Sequence, residues 1–185
     1  MTADRTPEGD GIALVGYRGT GKSTIGRLVA RRLDMEFIDT DAEIGLRAKM
    51  PAAEVFRARG EAAFRDMEER VIQDCAGLRG LVLATGGGAV LRERNVRTLR
   101  DFGRVVWLTA RPEVLADRLR NDPAGPRPTL TSAGPIAEIE QVLRGRWAAY
   151  SLAADFAVET DDVPPAEVAD RLIRAWRAAR PGCPR

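Results

Sequence analysis

The amino-acid sequence predicts an α/β fold in which a five-stranded parallel sheet is flanked by helices. Three observations lead there. Five short runs are almost continuously apolar, as strands covered on both faces require. Helical patterns alternate with these runs, which implies parallel strands joined by crossovers. A glycine-rich loop separates the first apolar run from the first helical pattern.

The strands are expected at Ile12–Val15, Phe37–Asp39, Leu81–Ala84, Val105–Leu108 and Phe156–Val158. Lys22–Leu33 carries Ile25, Leu28, Val29 and Leu33 at helical spacing, and Glu61–Leu78 carries Phe64, Met67, Val71, Ile72 and Cys75. Pro112–Arg120, Ala137–Leu152 and Pro164–Ala179 complete the helices, two of them opened by a proline suited to a first turn. Ala42–Arg59 is charged and poor in strand signals, so short helices beside the sheet are expected. Asn121–Pro135 is rich in Pro, Gly, Thr and Ser and reads as a mobile loop with Arg127 in its middle.

The 185 residues suit one domain, expected over 11–179, with a disordered leader at 1–10 and a tail at 180–185. The leader is polar and lacks the apolar stretch of a secretory signal. No apolar run approaches the roughly 18 residues of a membrane span. The net charge of +2 argues neither for nor against nucleic acid. Cys75 and Cys183 fit no metal or redox spacing and read as unpaired thiols in a reducing cytoplasm. The chain has no histidine, so acid–base chemistry must come from carboxylates or from a substrate. Its cations are almost all arginine, yet Lys22 stands where a compact ammonium is wanted.

Gly16-Tyr17-Arg18-Gly19-Thr20-Gly21-Lys22-Ser23 matches the phosphate-binding pattern G-x-x-x-x-G-K-[ST] between a strand and a helix. The glycines let backbone N–H groups point inward at phosphate oxygens, and the helix start adds partial positive charge. Lys22 can reach the β- and γ-phosphates, and the Ser23 hydroxyl can ligate Mg²⁺. The site thus implies a bound nucleotide.

Asp39 and Asp41 lie at the carboxyl end of the second strand, where ligands of open α/β sheets bind. Two residues apart on an extended segment, they would face one side, one carboxylate for Mg²⁺ and one for a substrate hydroxyl. The alternative is a helix N-cap at this point, served by Thr40 or Asp41. Thr85-Gly86-Gly87-Gly88 follows the third strand and allows close backbone approach to a ligand, or is a plain flexible turn. Arg65 and Glu68 share a helix face and read by themselves as a solvated ion pair. The same bland reading applies to Arg127 and Arg146.

Taken together and in order, these motifs resemble the shikimate kinase family over roughly 11–179. They are the GTGKST loop, the DTD strand end, the GE-x-x-FR-x-x-E helix start, the TGGG turn, an Arg-Pro lid and an R-x-x-x-Y helix. The resemblance implies a three-layer P-loop fold with a mobile lid near 121–135 and a substrate-binding helical segment near 41–69. It implies MgATP-dependent phosphorylation of the shikimate 3-hydroxyl. Gly19, Thr20, Gly21, Lys22, Ser23 and Thr24 would contact ATP, Ser23 and Asp39 would hold Mg²⁺, and Lys22, Asp41 and Arg127 would be catalytic. Asp41, Arg65, Gly86, Gly87, Gly88 and Arg146 would bind shikimate, with Phe56 and Phe64 as apolar walls and Arg127 also on the nucleotide. Arg144 does not stand four before Tyr150 and is not the matching arginine.

The chain departs from the family at Thr129-Leu130 in the lid, at Trp147, and in a longer 121–126 stretch that leaves Arg118 and Arg120 competing for the adenine side. Asp161-Asp162-Val163-Pro164 lacks the basic residue some members carry there. The nearest alternatives are a gluconate kinase, against which the paired Arg65 and Arg146 with the TGGG turn favour a carboxylated cyclic polyol without naming it, and a nucleoside monophosphate kinase, for which no base-reading signature is visible. A GTPase switch would need an Asn-Lys-x-Asp run, which is absent. The resulting expectation is a cytoplasmic monomer with ATP and shikimate as partners and neither nucleic acid nor membrane.

Overall fold

A computed structural model describes residues 10–121 and 134–178 of the chain. The elements run β1 (Gly11–Val15), α1 (Lys22–Leu33), β2 (Glu36–Asp39), α2 (Thr40–Ala48), α3 (Ala52–Cys75), β3 (Leu81–Ala84), a single 3₁₀ turn (Ala89–Leu91), α4 (Glu93–Phe102), β4 (Gly103–Thr109), α5 (Pro112–Arg120), α6 (Pro135–Ala153), β5 (Phe156–Glu159) and α7 (Pro165–Ala178). All five strands pair in parallel, in the order β2-β3-β1-β4-β5. The strand order reverses at β1, so the crevice beyond its carboxyl end is the natural ligand site.

Alternation along β1 divides the core. Ile12 and Leu14 face one layer with Val29, Val168, Leu172 and Trp176, from α1 and α7. Ala13 and Val15 face the other with Val71, Ile72, Leu99 and Tyr150, from α3, α4 and α6. Successive strand residues point to opposite faces, so a strand covered twice is apolar throughout. At the other end of β1, Gly11 pairs with Gly103, and the Phe102 ring fills the space a Cβ at Gly11 would need.

The expected strands are all present: β3 has the expected bounds, β1, β2 and β5 are each one residue longer, and β4 is three residues longer. The helices differ in two places. Glu93–Phe102 forms α4, a helix not anticipated, because its apolar residues Val96, Leu99 and Phe102 make a narrow stripe among arginines. The helix expected from Glu61 starts at Ala52, and the charged 42–59 stretch does contain helices beside the sheet. Gly60, at φ 79° and ψ 168°, breaks α3 into two helical arms. That conformation suits glycine, and nothing lies within 4 Å of where its Cβ would be. The tail, the leader apart from Asp10 and nearly all of the expected lid fall outside the described residues. No helix among the described residues is long and apolar enough to cross a membrane.

Candidate active site

The cradle forms between β1 and α1. Gly21, at φ 86°, is the N-cap of α1 in the left-handed region that glycine tolerates best. Thr20 is buried in the cavity lining, and its hydroxyl donates to the Tyr17 carbonyl at 2.8 Å, so its side chain closes the turn. Lys22 Nζ donates to the carbonyls of Gly16 and Tyr17, each at 2.8 Å. Burial lowers its pKa to about 8, against the pull of Asp41, Asp39 and Glu68 toward the charged form.

Asp39 ends β2, and the chain turns into α2 at Thr40. Asp39 and Asp41 therefore do not share an extended segment, which corrects the expectation from the sequence. Asp39 is the N-cap: its Oδ1 accepts from the N–H groups of Asp41 and Ala42, at 3.0 and 3.3 Å. Its Oδ2 accepts from the Ser23 hydroxyl at 2.5 Å. Asp41 sits in the first helical turn. Both carboxylates still line one cavity of about 900 Å³, because a turn, rather than strand pleating, brings them there.

Ser23 and Asp39 offer hard oxygen donors at contact distance, which fits Mg²⁺ held with phosphate oxygens and waters. Among the described residues there is no cluster of three or more His, Cys, Asp or Glu that could cage a metal alone. A magnesium ion sharing its shell with a nucleotide does not need one.

The TGGG turn follows β3 and abuts the cradle. Gly86 N–H donates to the buried Thr40 hydroxyl at 2.9 Å, tying this turn to the start of α2. A Cβ at Gly86 would lie 2.2 Å from Glu68 Oε1 and 3.0 Å from Asp41 Oδ1, and one at Gly88 would lie 2.3 Å from Arg65 Nη2. The glycines here leave room for the protein's own charged groups. Arg65 Nη1 donates to Glu68 Oε2 at 2.8 Å, and the Glu68 side chain is fully buried. Burial, with Asp41 adding to it, raises the Glu68 carboxyl, while Arg65 holds it down. This is a buried pair inside the cavity wall and not the solvated pair of the bland reading.

Gly87 contributes its carbonyl oxygen. It accepts from Arg146 Nη1 at 3.2 Å and from the Tyr150 hydroxyl. Arg146 and Tyr150 stand one turn apart on α6, and Tyr150 is stacked on Trp107 at 5.5 Å. Burial pushes the Tyr150 phenol up to about 12, so it remains a donor. Arg144 is exposed beside Glu140, at 3.9 Å. Phe56 and Phe64 meet edge to face at 5.6 Å on the cavity wall.

Arg118 and Arg120 separate cleanly. Arg118 lines the cavity and donates to the Gly19 carbonyl at 3.2 Å and to the Thr160 hydroxyl and carbonyl at 2.9 and 2.5 Å. Arg120 is exposed on Asp117. Gly19, Gly21, Ser23 and Thr24 all line the cavity. Arg127 lies outside the described residues. Sequence reasoning passed over Arg18, Arg57 and Glu138 as cavity residues, and offered Thr40 only as a helix cap, whereas its hydroxyl accepts from Gly86 N–H and Asp39 is the cap. Arg18 stood inside the matched pattern at a position where any residue is allowed, and nothing local marks Glu138.

The shikimate kinase family model matches residues 18–177. A shikimate kinase of Pseudomonas putida is 45% identical over 170 residues, covering 92% of this chain and 98% of that protein. One of Nitrobacter winogradskyi is 46% identical over 165 residues, covering 89% of this chain and 76% of that protein. Among solved structures, a shikimate kinase from Acinetobacter baumannii in complex with shikimate superposes with a TM-score of 0.83 at 32% identity, covering 90% of this chain and 92% of that one.

Proposed function

This chain belongs to the shikimate kinase family and is an ATP:shikimate phosphotransferase, and we propose the following division of labour in its cavity. The N–H groups of 19–24 and the start of α1 hold the ATP phosphates. Lys22 carries the charge that accompanies the β- and γ-phosphates. Ser23 and Asp39 hold Mg²⁺, which when bound neutralises charge on the phosphate oxygens. Arg118 lies toward the adenine side, beside Thr160.

On the acceptor side, Arg65 and Arg146 present two planar forks to the shikimate carboxylate. Glu68 holds Arg65 in place, and Tyr150 with the Gly87 carbonyl does the same for Arg146. Asp41 accepts a hydrogen bond from the 3-hydroxyl and orients it for attack. The hydroxyl oxygen bonds to the γ-phosphorus, the bond to the β,γ-bridging oxygen breaks, and ADP leaves with that electron pair. The hydroxyl proton passes to Asp41 or on to solvent. Arg127 closes over the phosphates; that role rests on its sequence position. The enzyme works as a monomer in the cytoplasm, bound to neither nucleic acid nor membrane.

One observation carries this reading: Asp41, the Arg65–Glu68 pair and Arg146 all converge on the Gly86–Gly88 turn, directly beside the cradle. The test is ADP release from MgATP in the presence of shikimate, gluconate or a nucleoside monophosphate. Shikimate alone is expected to stimulate it, and no stimulation by shikimate sinks the proposal. Arg65→Ala is expected to raise the KM for shikimate at least about tenfold while leaving ADP affinity unchanged. Equal loss of both would remove Arg65 from the acceptor side.

A further inference from the structure

The cradle contains a charged side chain that the roles above leave unused. Arg18 lines the same cavity as Asp41, Arg65 and Arg146. Its backbone nitrogen lies 3.5 Å from where a Cβ at Gly87 would be, so the residue springs from the point where cradle and TGGG turn touch. Its Nε is shielded from solvent and meets no acceptor among the described residues. Its Nη2 lies 3.8 Å from Glu138 Oε1, an ion pair too long to be a hydrogen bond. Glu138 is buried in the first turn of α6, the helix that carries Arg146. The Arg18 side chain as a whole is 32% exposed and lines the cavity, whereas a shielded N–H such as its Nε ordinarily finds an acceptor. Arg18 is held near a carboxylate but keeps donors in reserve.

Charge must move during the reaction. Before transfer, the acceptor's single carboxylate is matched by Arg65 and Arg146. Afterwards a phosphate monoester, carrying about −1.5 to −2, stands beside Asp41 and Glu68, which repel it. Lys22 and the start of α1 stay with the nucleotide phosphates. Arg18 is the cation on the boundary.

Building on the acceptor assignment above, we propose that Arg18 is a catalytic residue that donates hydrogen bonds to the phosphoryl group in passage and then to the phosphate of shikimate 3-phosphate, with Glu138 as its positioning residue. Arg18 makes and breaks no covalent bond. Its contribution grows as negative charge crosses from donor to acceptor, so it acts on kcat and on product affinity rather than on substrate affinity.

The test titrates wild type, Arg18→Met, Arg18→Lys and Arg57→Met with shikimate, with shikimate 3-phosphate and with ADP, alongside steady-state kinetics and thermal melts. Arg57 is the control, because it also lines the cavity but lies on the exposed arm before Gly60. Arg18→Met is expected to bind shikimate and ADP as wild type does. It should bind shikimate 3-phosphate at least about tenfold more weakly, with a similar fall in kcat and an unchanged shikimate KM. Arg18→Lys keeps the charge without the fork and should fall between, which preserves the test if the Met variant melts early. Adding Glu138→Gln to Arg18→Met should lower kcat no further, although Glu138→Gln alone lowers it.

Unchanged product affinity in a folded Arg18 variant would overturn the proposal. So would equal weakening for shikimate and its phosphate, or a selective effect that belongs to Arg57→Met instead. A wild-type protein that fails to phosphorylate shikimate is a different result, and it strikes the acceptor assignment itself.

Discussion

Burial holds the Lys22 ammonium at about 8 against an ordinary 10.5. Between those values the folded chain binds fewer protons than the unfolded one, so Lys22 makes stability rise with pH across that window. Nucleotide phosphates act in the opposite sense, because they favour the charged form. Above pH 8, binding takes up a proton, and affinity should fall as pH rises, by up to about tenfold per unit. Calorimetric titration with ADP from about pH 7.5 to 10 checks this, and Lys22→Met should lose the dependence. A flat profile in the wild type would contradict the assigned environment. Lys22, Ser23 and the cradle glycines were readable from the chain because their geometry is made within one loop. Arg118 and Arg120 were not separable there. They stand two apart on α5, and only the packing of that helix beside Gly19 and Thr160 turns one inward.

At the scale of elements, the TGGG turn is a spacer for charged side chains. Gly88 has no unusual φ to protect, so its requirement is for room: a methyl group there would displace the Arg65 guanidinium. Gly88→Ala is therefore expected to raise the KM for shikimate at least about tenfold, with nucleotide affinity retained. Steady-state kinetics and an ADP titration separate the two, and an unchanged KM would mean that Arg65 relaxes freely. Glu69 makes such freedom harder, since it receives Arg92 and Arg94 from the start of α4, at 3.0 and 3.1 Å, and braces α3. Strand ends and turns were visible in the sequence as apolar runs and glycine clusters. The entry into α2 was misread as extended, because Asp-Thr-Asp satisfies a strand end and a capped helix start equally well. The helix α4 escaped notice because three core residues in ten give a weak period among so many charges.

Across the whole molecule, two apolar layers clamp a sheet whose middle strand carries the cradle. Phe102 closes the layer under the Gly11–Gly103 pair and is 2% exposed. Phe102→Ala should cost about 3–5 kcal/mol of stability, measured by urea unfolding. Leu152→Ala, at a position 72% exposed, should change it by less than about 0.5 kcal/mol. Similar losses in the two variants would contradict this placement of the core. Cys75 belongs to the same layer, where burial raises its thiol and keeps it unreactive. The alternation of strands and helices, the parallel sheet and the phosphate cradle were determined by the sequence alone, because each is written in residues within a turn or two of one another. Tertiary structure decided which carboxylates and arginines meet. Asp41, Arg65, Glu68, Gly87 and Arg146 come from four separate elements, and their contacts depend on helix phase and on space left empty by glycine, neither of which a local pattern records. Arg18 shows the division most sharply. Its position was plain in the chain, but the buried Glu138 beside it, 120 residues further on, became visible only when α6 packed against the cradle.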